Sequence, residues 1–303
     1  MQTVVMTSKK TIHQRALGLL AATVLASSAM AQVPPAESGA PAMQAKYTEL
    51  APQLARNQFQ RPLVIDSTES SNAVSGSAYA VINYPYPVVM AAFKDPETWC
   101  EVLILHLNTK HCSAEKGRNP AVLALTLGKK TPQELRDAHA LGFGFTPAAT
   151  ADYLSVRLNA AKGPMGTHDY RIELQAVPVA GDKTFMHLRY AYGYGLTGRL
   201  AMQGYMATVG SSKVGFSVVD KQAGTKVLVG GTRGAVERNT MRYYLAIDAY
   251  LASLSSPPGE QLEKRLQHWF EATERYPRQL REIDRMAYLS MKRGEYQRQQ
   301  ITP

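Results

Sequence analysis

A chain of 303 residues is long enough for one large domain with appendages or for two small ones, and a single domain is the simpler reading. No segment after the N-terminus is apolar for long enough to span a bilayer, which excludes a later membrane-spanning helix. The formal charge of +10 is dispersed, and the C-terminal basic residues alternate with Glu and Asp, so it reads as a solvated surface and not as a nucleic-acid patch.

The N-terminus has the three parts of a secretory signal. Lys9, Lys10 and Arg15 supply the positive region, 16–26 is apolar, and Ala29-Met30-Ala31 is a small-x-small cleavage site. Cleavage after Ala31 predicts an exported, periplasmic chain of 272 residues with a formal charge of +7, compatible with peripheral contact with an anionic membrane. Residues 32–61 are expected to form a flexible leader followed by a short helix over 43–59, where Tyr47, Leu50, Leu54 and Phe59 recur at roughly helical spacing.

The main domain is expected over 62–254. Strand formers occupy 77–84, and Pro85 and Pro87 stop the run. Two short helices follow, over 88–93 and 97–103, broken by Asp95-Pro96. Alternation then predicts strands over 121–127, 153–160, 169–177, 184–196, 200–209, 213–219 and 226–236, and their short links imply an antiparallel meander. The clearest alternation puts Met186, Leu188, Tyr190, Tyr192 and Tyr194 on one face and His187, Arg189 and Ala191 on a wetter one. Gly193, Gly195 and Gly198 point to a bend. A long helix over 239–254 carries Met241, Tyr244, Leu245, Asp248 and Leu251 along one stripe. Two further helices, over 259–276 and 278–299, form a C-terminal extension, 255–303.

Cys100 and Cys112 are the only cysteines, and an even count in an exported chain predicts one disulfide. The competing reading is a metal site with His106 and His111, at a spacing that matches no familiar zinc pattern. No Gly-x-Ser-x-Gly elbow is present, and Gly230-Gly231-Thr232-Arg233-Gly234 lacks the ending of a P-loop, so it reads as a strand bend. Arg157, Arg171, Glu173, His187 and Arg189 fall on the polar parity of their strands.

The order of strand, two short helices, antiparallel sheet and long helix resembles the START-like (SRPBCC or Bet v 1-like) superfamily of helix-grip domains over roughly 62–254. The likeness is best at Tyr79-Ala80-Val81-Ile82-Asn83-Tyr84-Pro85-Tyr86-Pro87-Val88-Val89 and at Asp95-Pro96-Glu97-Thr98-Trp99. It implies an α+β fold in which a curved antiparallel sheet grips the long helix, with an apolar cavity between them that holds a lipid or other hydrophobic small molecule. The cavity candidates are Met186, Leu188, Tyr190, Tyr192, Met202, Met206, Tyr244 and Leu245, whose alternative role is to fill a solid core. No cofactor is expected. Two other functions stay open: a cyclase or hydrolase on the same scaffold using Glu173, Arg189 and His187, or an envelope module docking through Trp269 and Phe270.

Overall fold

The structure is a computed structural model that describes residues 39–196, 198–200, 204, 212–222 and 225–301. The expected signal segment, 1–31, and two cavity candidates, Met202 and Met206, lie outside the described residues.

Along β2, Ala73–Ile82, every second side chain is buried, as its alternating sequence dictates. It forms a hairpin with β1, Leu63–Glu69. Helices α2, Tyr86–Phe93, and α3, Pro96–Leu103, each have proline in the first turn, where its missing N–H costs nothing. The carboxylate of Asp95 caps α3 by accepting from the Glu97 N–H. Six strands then run as a meander: β3, Thr109–Glu115; β4, Ala121–Leu127; β5, His139–Ala149; β6, Leu154–Lys162; β7, Thr167–Val179; and β8, Lys183–Tyr194. The last of these returns to pair with β2, giving one antiparallel sheet in the order β1-β2-β8-β7-β6-β5-β4-β3.

The long helix α4, Gly231–Ser253, crosses the inner face of this sheet over β2, β1 and β8. The crossing is close because Gly76 has no side chain: a Cβ there would sit 2.4 Å from Thr240 Oγ1 and 3.3 Å from the Val236 carbonyl. This is the helix-grip α+β arrangement that the resemblance implies. Asp248, the acidic interruption in the apolar stripe of α4, is paired with Arg61 at 3.0 Å and approached by His268 at 3.4 Å. Met186, Leu188, Tyr190, Tyr192 and Tyr194 share one core with α4. On the opposite face of the sheet, α1, Ala40–Ala55, packs Met43, Leu50 and Leu54 on Val177 and Phe185. The outer face expected to be wet is therefore partly sealed.

Several elements differ from the sequence reading. The strand expected over 226–236 is β10, Thr225–Leu228, paired with β9, Val218–Gln222, after which the chain becomes helical. The glycines read as a strand bend start α4: Gly231 takes φ +58°, and a Cβ on Gly234 would lie 2.8 Å from the Val229 carbonyl. Within the strand expected over 200–209, the described residues 200 and 204 are helical, and 213–215 precede β9 without strand structure. Three strands, β1, β3 and β5, had no counterpart in the reading. In β3 the run Thr109-Lys110-His111-Cys112 is buried on both faces and so shows no alternation. In β5 glycine alternates with phenylalanine, and the glycines imitate turn signals.

The C-terminal helices α5, Gln261–Glu274, and α6, Arg285–Ile301, complete the helical layer. Trp269 and Phe270 are buried: the indole N–H donates to the Arg242 carbonyl at 3.1 Å, and both rings lie against Tyr288, at 5.0 and 5.6 Å. This stripe is consumed inside the chain and offers no exposed docking surface.

Cys100 on α3 and Cys112 on β3 form the expected disulfide, with Cα atoms 5.2 Å apart. Closing so short a loop contributes on the order of 3 kcal/mol in the chain-entropy model. Reduction, or paired replacement by serine, is expected to lower stability by about that amount. Urea unfolding with and without reductant measures it, and an unchanged midpoint would show that the bridge is dispensable.

Candidate ligand-binding cavity

The inner face of β7 and β8 does not meet α4 everywhere. Between them, and bounded by the 127–139 connection and the Pro164–Gly166 turn, lies a hollow of about 590 Å³. Its aromatic wall comes from strand parity and helix spacing together. Tyr170 on β7 and Tyr190 and Tyr192 on β8 point to the inner face, while Tyr243 comes from α4. Tyr170 and Tyr192 stack at 5.3 Å, and Tyr243 meets Tyr190 edge-on at 5.3 Å. Burial pushes the Tyr190, Tyr192 and Tyr243 phenols upward, so they remain neutral hydroxyls at ordinary pH.

The remaining wall of α4 is polar. Ala235, Arg238, Asn239, Arg242 and Tyr243 recur at i, i+3, i+4, i+7 and i+8, a second stripe beside the apolar one. Arg242 is buried; it bonds the Leu280 carbonyl and shares Glu282 with Lys130, each cation 2.9 Å from that carboxylate. Burial works against the charge on Glu282, yet Arg242 and Lys130 hold its carboxyl below the usual range. Arg238 is only 3% exposed and its guanidinium donates to the Val214 carbonyl at 3.4 Å.

His106 completes this end. It is 4% exposed, and its ring stacks on Tyr243 at 4.9 Å. Nδ1 accepts from the Asn108 N–H at 3.3 Å, which places the ring proton on Nε2. Burial, with Arg242, Lys292 and Lys130 nearby, holds the imidazole well below its ordinary pKa, so it is neutral. Asn239 is near enough to offset a little of this shift, but among the described residues no hydrogen bond of normal geometry reaches Nε2. Leaving such a donor unsatisfied costs about 1–3 kcal/mol.

Of the residues named from sequence, Tyr190 and Tyr192 line this hollow. Met186, Leu188, Tyr244 and Leu245 are fully packed in the surrounding core and are not among its walls. The cluster considered for chemistry lies on the other face of the sheet. There Arg189 pairs with Glu173 at 3.4 Å, and His187 stacks on Tyr79 at 4.1 Å between Ser77 and Gln175. Tyr170, Arg238, Arg242 and Tyr243 were missed as site residues, and His106 was considered only as a metal ligand. The signal for the three on α4 was their second helical stripe. Among the described residues no cluster of three His, Cys, Asp or Glu side chains is arranged to hold a metal.

No protein-family model matches the chain. No curated protein matches it in sequence. Among solved structures it is similar to norcoclaurine synthase from Thalictrum flavum, at 12% identity and a TM-score of 0.32 over 48% of this chain and 81% of that one. It is also similar to human StAR-related lipid transfer protein 5, at 10% identity and a TM-score of 0.31 over 55% of this chain and 89% of that one. A conserved protein of unknown function from Enterococcus faecalis overlaps 79% of this chain and 92% of its own, at 7% identity and a TM-score of 0.31. The helix-grip architecture itself stands on the strand order and the crossing of α4.

Proposed function

We propose that this protein is exported to the periplasm and binds a hydrophobic small molecule of lipid type in the hollow between α4 and the sheet. The observation that carries this reading is the space itself: about 590 Å³ walled by four tyrosines, beside a helix–sheet interface that is otherwise packed. Pockets of a few hundred cubic ångströms with broad apolar walls and a few placed polar groups are the usual small-molecule sites. Tyrosine suits such a wall because its ring buries apolar area while its hydroxyl selects orientation. Glu173, Arg189 and His187 face away from this space, so the reading is one of binding and carriage. Export is supported by the tripartite N-terminal pattern and by the Cys100–Cys112 disulfide, a bond favoured in oxidising compartments.

Ala235 stands on the cavity wall with only a methyl group. Ala235→Trp is expected to fill the space and weaken binding of a neutral fluorescent probe such as 1-aminoanthracene by tenfold or more, with little change in melting temperature. Wild-type protein purified from its host is expected to release an apolar compound into organic solvent. Failure of the wild type to bind the probe, or equal binding by the tryptophan variant, would remove this site from consideration.

A further inference from the structure

The hydroxyls of the tyrosine wall are not equally satisfied. Thr167 gives its only hydroxyl hydrogen to the Pro164 carbonyl, so in the 2.9 Å pair of Thr167 and Tyr170 it is the phenol that donates. The hydrogen of Tyr170 is therefore spent. Tyr190 and Tyr243 differ: among the described residues neither hydroxyl has a hydrogen-bond partner. Tyr190 is only 7% exposed, yet neither phenol oxygen is sealed in protein as His106 Nε2 is. Both residues line the hollow, so both hydroxyls open into it. They come from facing walls, β8 and α4, with their rings edge-on at 5.3 Å. Tyr170 and Tyr243 are close enough that a negative charge on either would oppose ionisation of Tyr190, so all three phenols stay neutral donors. The cations at this end have partners of their own: Lys130 and Arg242 share Glu282, and Arg238 donates to the Val214 carbonyl. An ionised ligand group would have to draw them away from those partners, whereas two free O–H donors suit a neutral acceptor.

We propose that the ligand is a neutral apolar molecule that carries a carbonyl oxygen, and that Tyr190 and Tyr243 each donate a hydrogen bond to that oxygen. A carbonyl has two lone pairs and so accepts from two donors at once. The apolar body then lies along the faces of Tyr170 and Tyr192, which stack at 5.3 Å and offer a broad flat wall. A guest without such an oxygen strips water from both hydroxyls and leaves them unsatisfied, and that penalty is what makes the pair selective.

The proposal rests on the cavity reading above, and the test separates the two. Protein with its disulfide intact is titrated with prodan, a neutral naphthalene bearing one ketone, and with the analogue in which that ketone is reduced to a methylene. Equilibrium dialysis gives both affinities, and the ketone is expected to bind at least tenfold more tightly. Tyr190→Phe and Tyr243→Phe remove one hydroxyl each and keep the rings; each is expected to narrow the preference, and the double variant to bring it toward one. Bound prodan reports the same contact by its colour, because its emission lies at longer wavelength when the carbonyl accepts hydrogen bonds; it is expected to shift to shorter wavelength in the variants. Equal affinity of ketone and analogue for the wild type would overturn the carbonyl site and leave the apolar cavity standing. Binding of neither compound would overturn both. A preference and an emission colour unchanged in either single variant, with the circular dichroism spectrum of the folded protein retained, would overturn the role of that tyrosine as a donor.

Discussion

Replacing Glu295 by alanine is expected to destabilise the protein by about 3–5 kcal/mol, because it leaves two ammonium groups buried without a counter-charge. Lys110 and Lys292 are each 0% exposed and Glu295 is 1% exposed. One carboxylate oxygen takes Lys110 at 2.8 Å and the other takes Lys292 at 2.7 Å. Carbonyl oxygens complete the shell: Leu107 for Lys110, and His106 and Thr109 for Lys292. The three charges sum to one excess positive, so removing a lysine is a milder change than removing the acid. Lys292→Met is expected to leave a neutral Lys110–Glu295 pair and to cost far less than Glu295→Ala.

The same cluster fixes a pH dependence. Burial lowers the Lys292 ammonium from 10.5 to about 8, against the pull of Glu295. Between those two values the unfolded chain binds the proton that the folded chain has released, so stability rises with pH. The gain is on the order of 2 kcal/mol by about pH 9.5. Above about pH 10 the buried tyrosines reverse the trend, since their phenols ionise only after unfolding. Urea midpoints at neutral pH and at about pH 9.5 should rise for the wild type and stay level for Lys292→Met. A wild-type midpoint that falls over this interval would refute the account.

Acidification should act in the opposite sense, through histidine. His187 is packed between Tyr79, Ser77 and Gln175, and burial, helped by Arg189 and Lys46, lowers it from 6.5 to about 4. Its two ring nitrogens are already satisfied in the neutral form, Nδ1 donating to Gln175 and Nε2 accepting from Ser77. As pH falls through 6.5 the unfolded chain takes up a proton that the folded chain refuses, so about 3 kcal/mol is lost by about pH 4. His106 shifts in the same direction and adds to the loss. Asp248 and Glu282 belong to a lower window: their carboxyls are held down, so what they contribute disappears only below about pH 4. His187→Gln should therefore flatten the stability profile between neutral pH and about pH 4.5, measured by urea unfolding. Parallel profiles for variant and wild type would show that the imidazole is not the group responsible.

The sequence was most readable where one face of an element is covered and the other is not. Strand β8 is the best example: Met186 to Tyr194 alternate strictly, and the inner parity found by reading agrees with the core. Reading failed where both faces are covered, as along Thr109–Cys112, because burial on two sides erases the period. It also failed at Gly230–Gly234, where glycine serves close helix packing and its sequence signature is that of a bend. The cavity was legible in kind but only partly in residue. Apolar parity led to Tyr190 and Tyr192, but a hollow is lined by whatever fails to pack, and here that is the polar stripe at Arg238, Asn239 and Arg242. Asn108, Lys129, Lys130 and Gln133 come from connections whose position depends on distant contacts, and no local period encodes them.

The contact at Gly76 makes one point of the grip immovable. Thr240 and the Val236 carbonyl of α4 rest directly on the backbone of β2, so helix and sheet have no slack to separate there. That point acts as a fulcrum, and breathing between the two layers must widen with distance from it. Any residue larger than glycine at position 76 would have to displace Thr240, the neighbour that its Cβ would meet first.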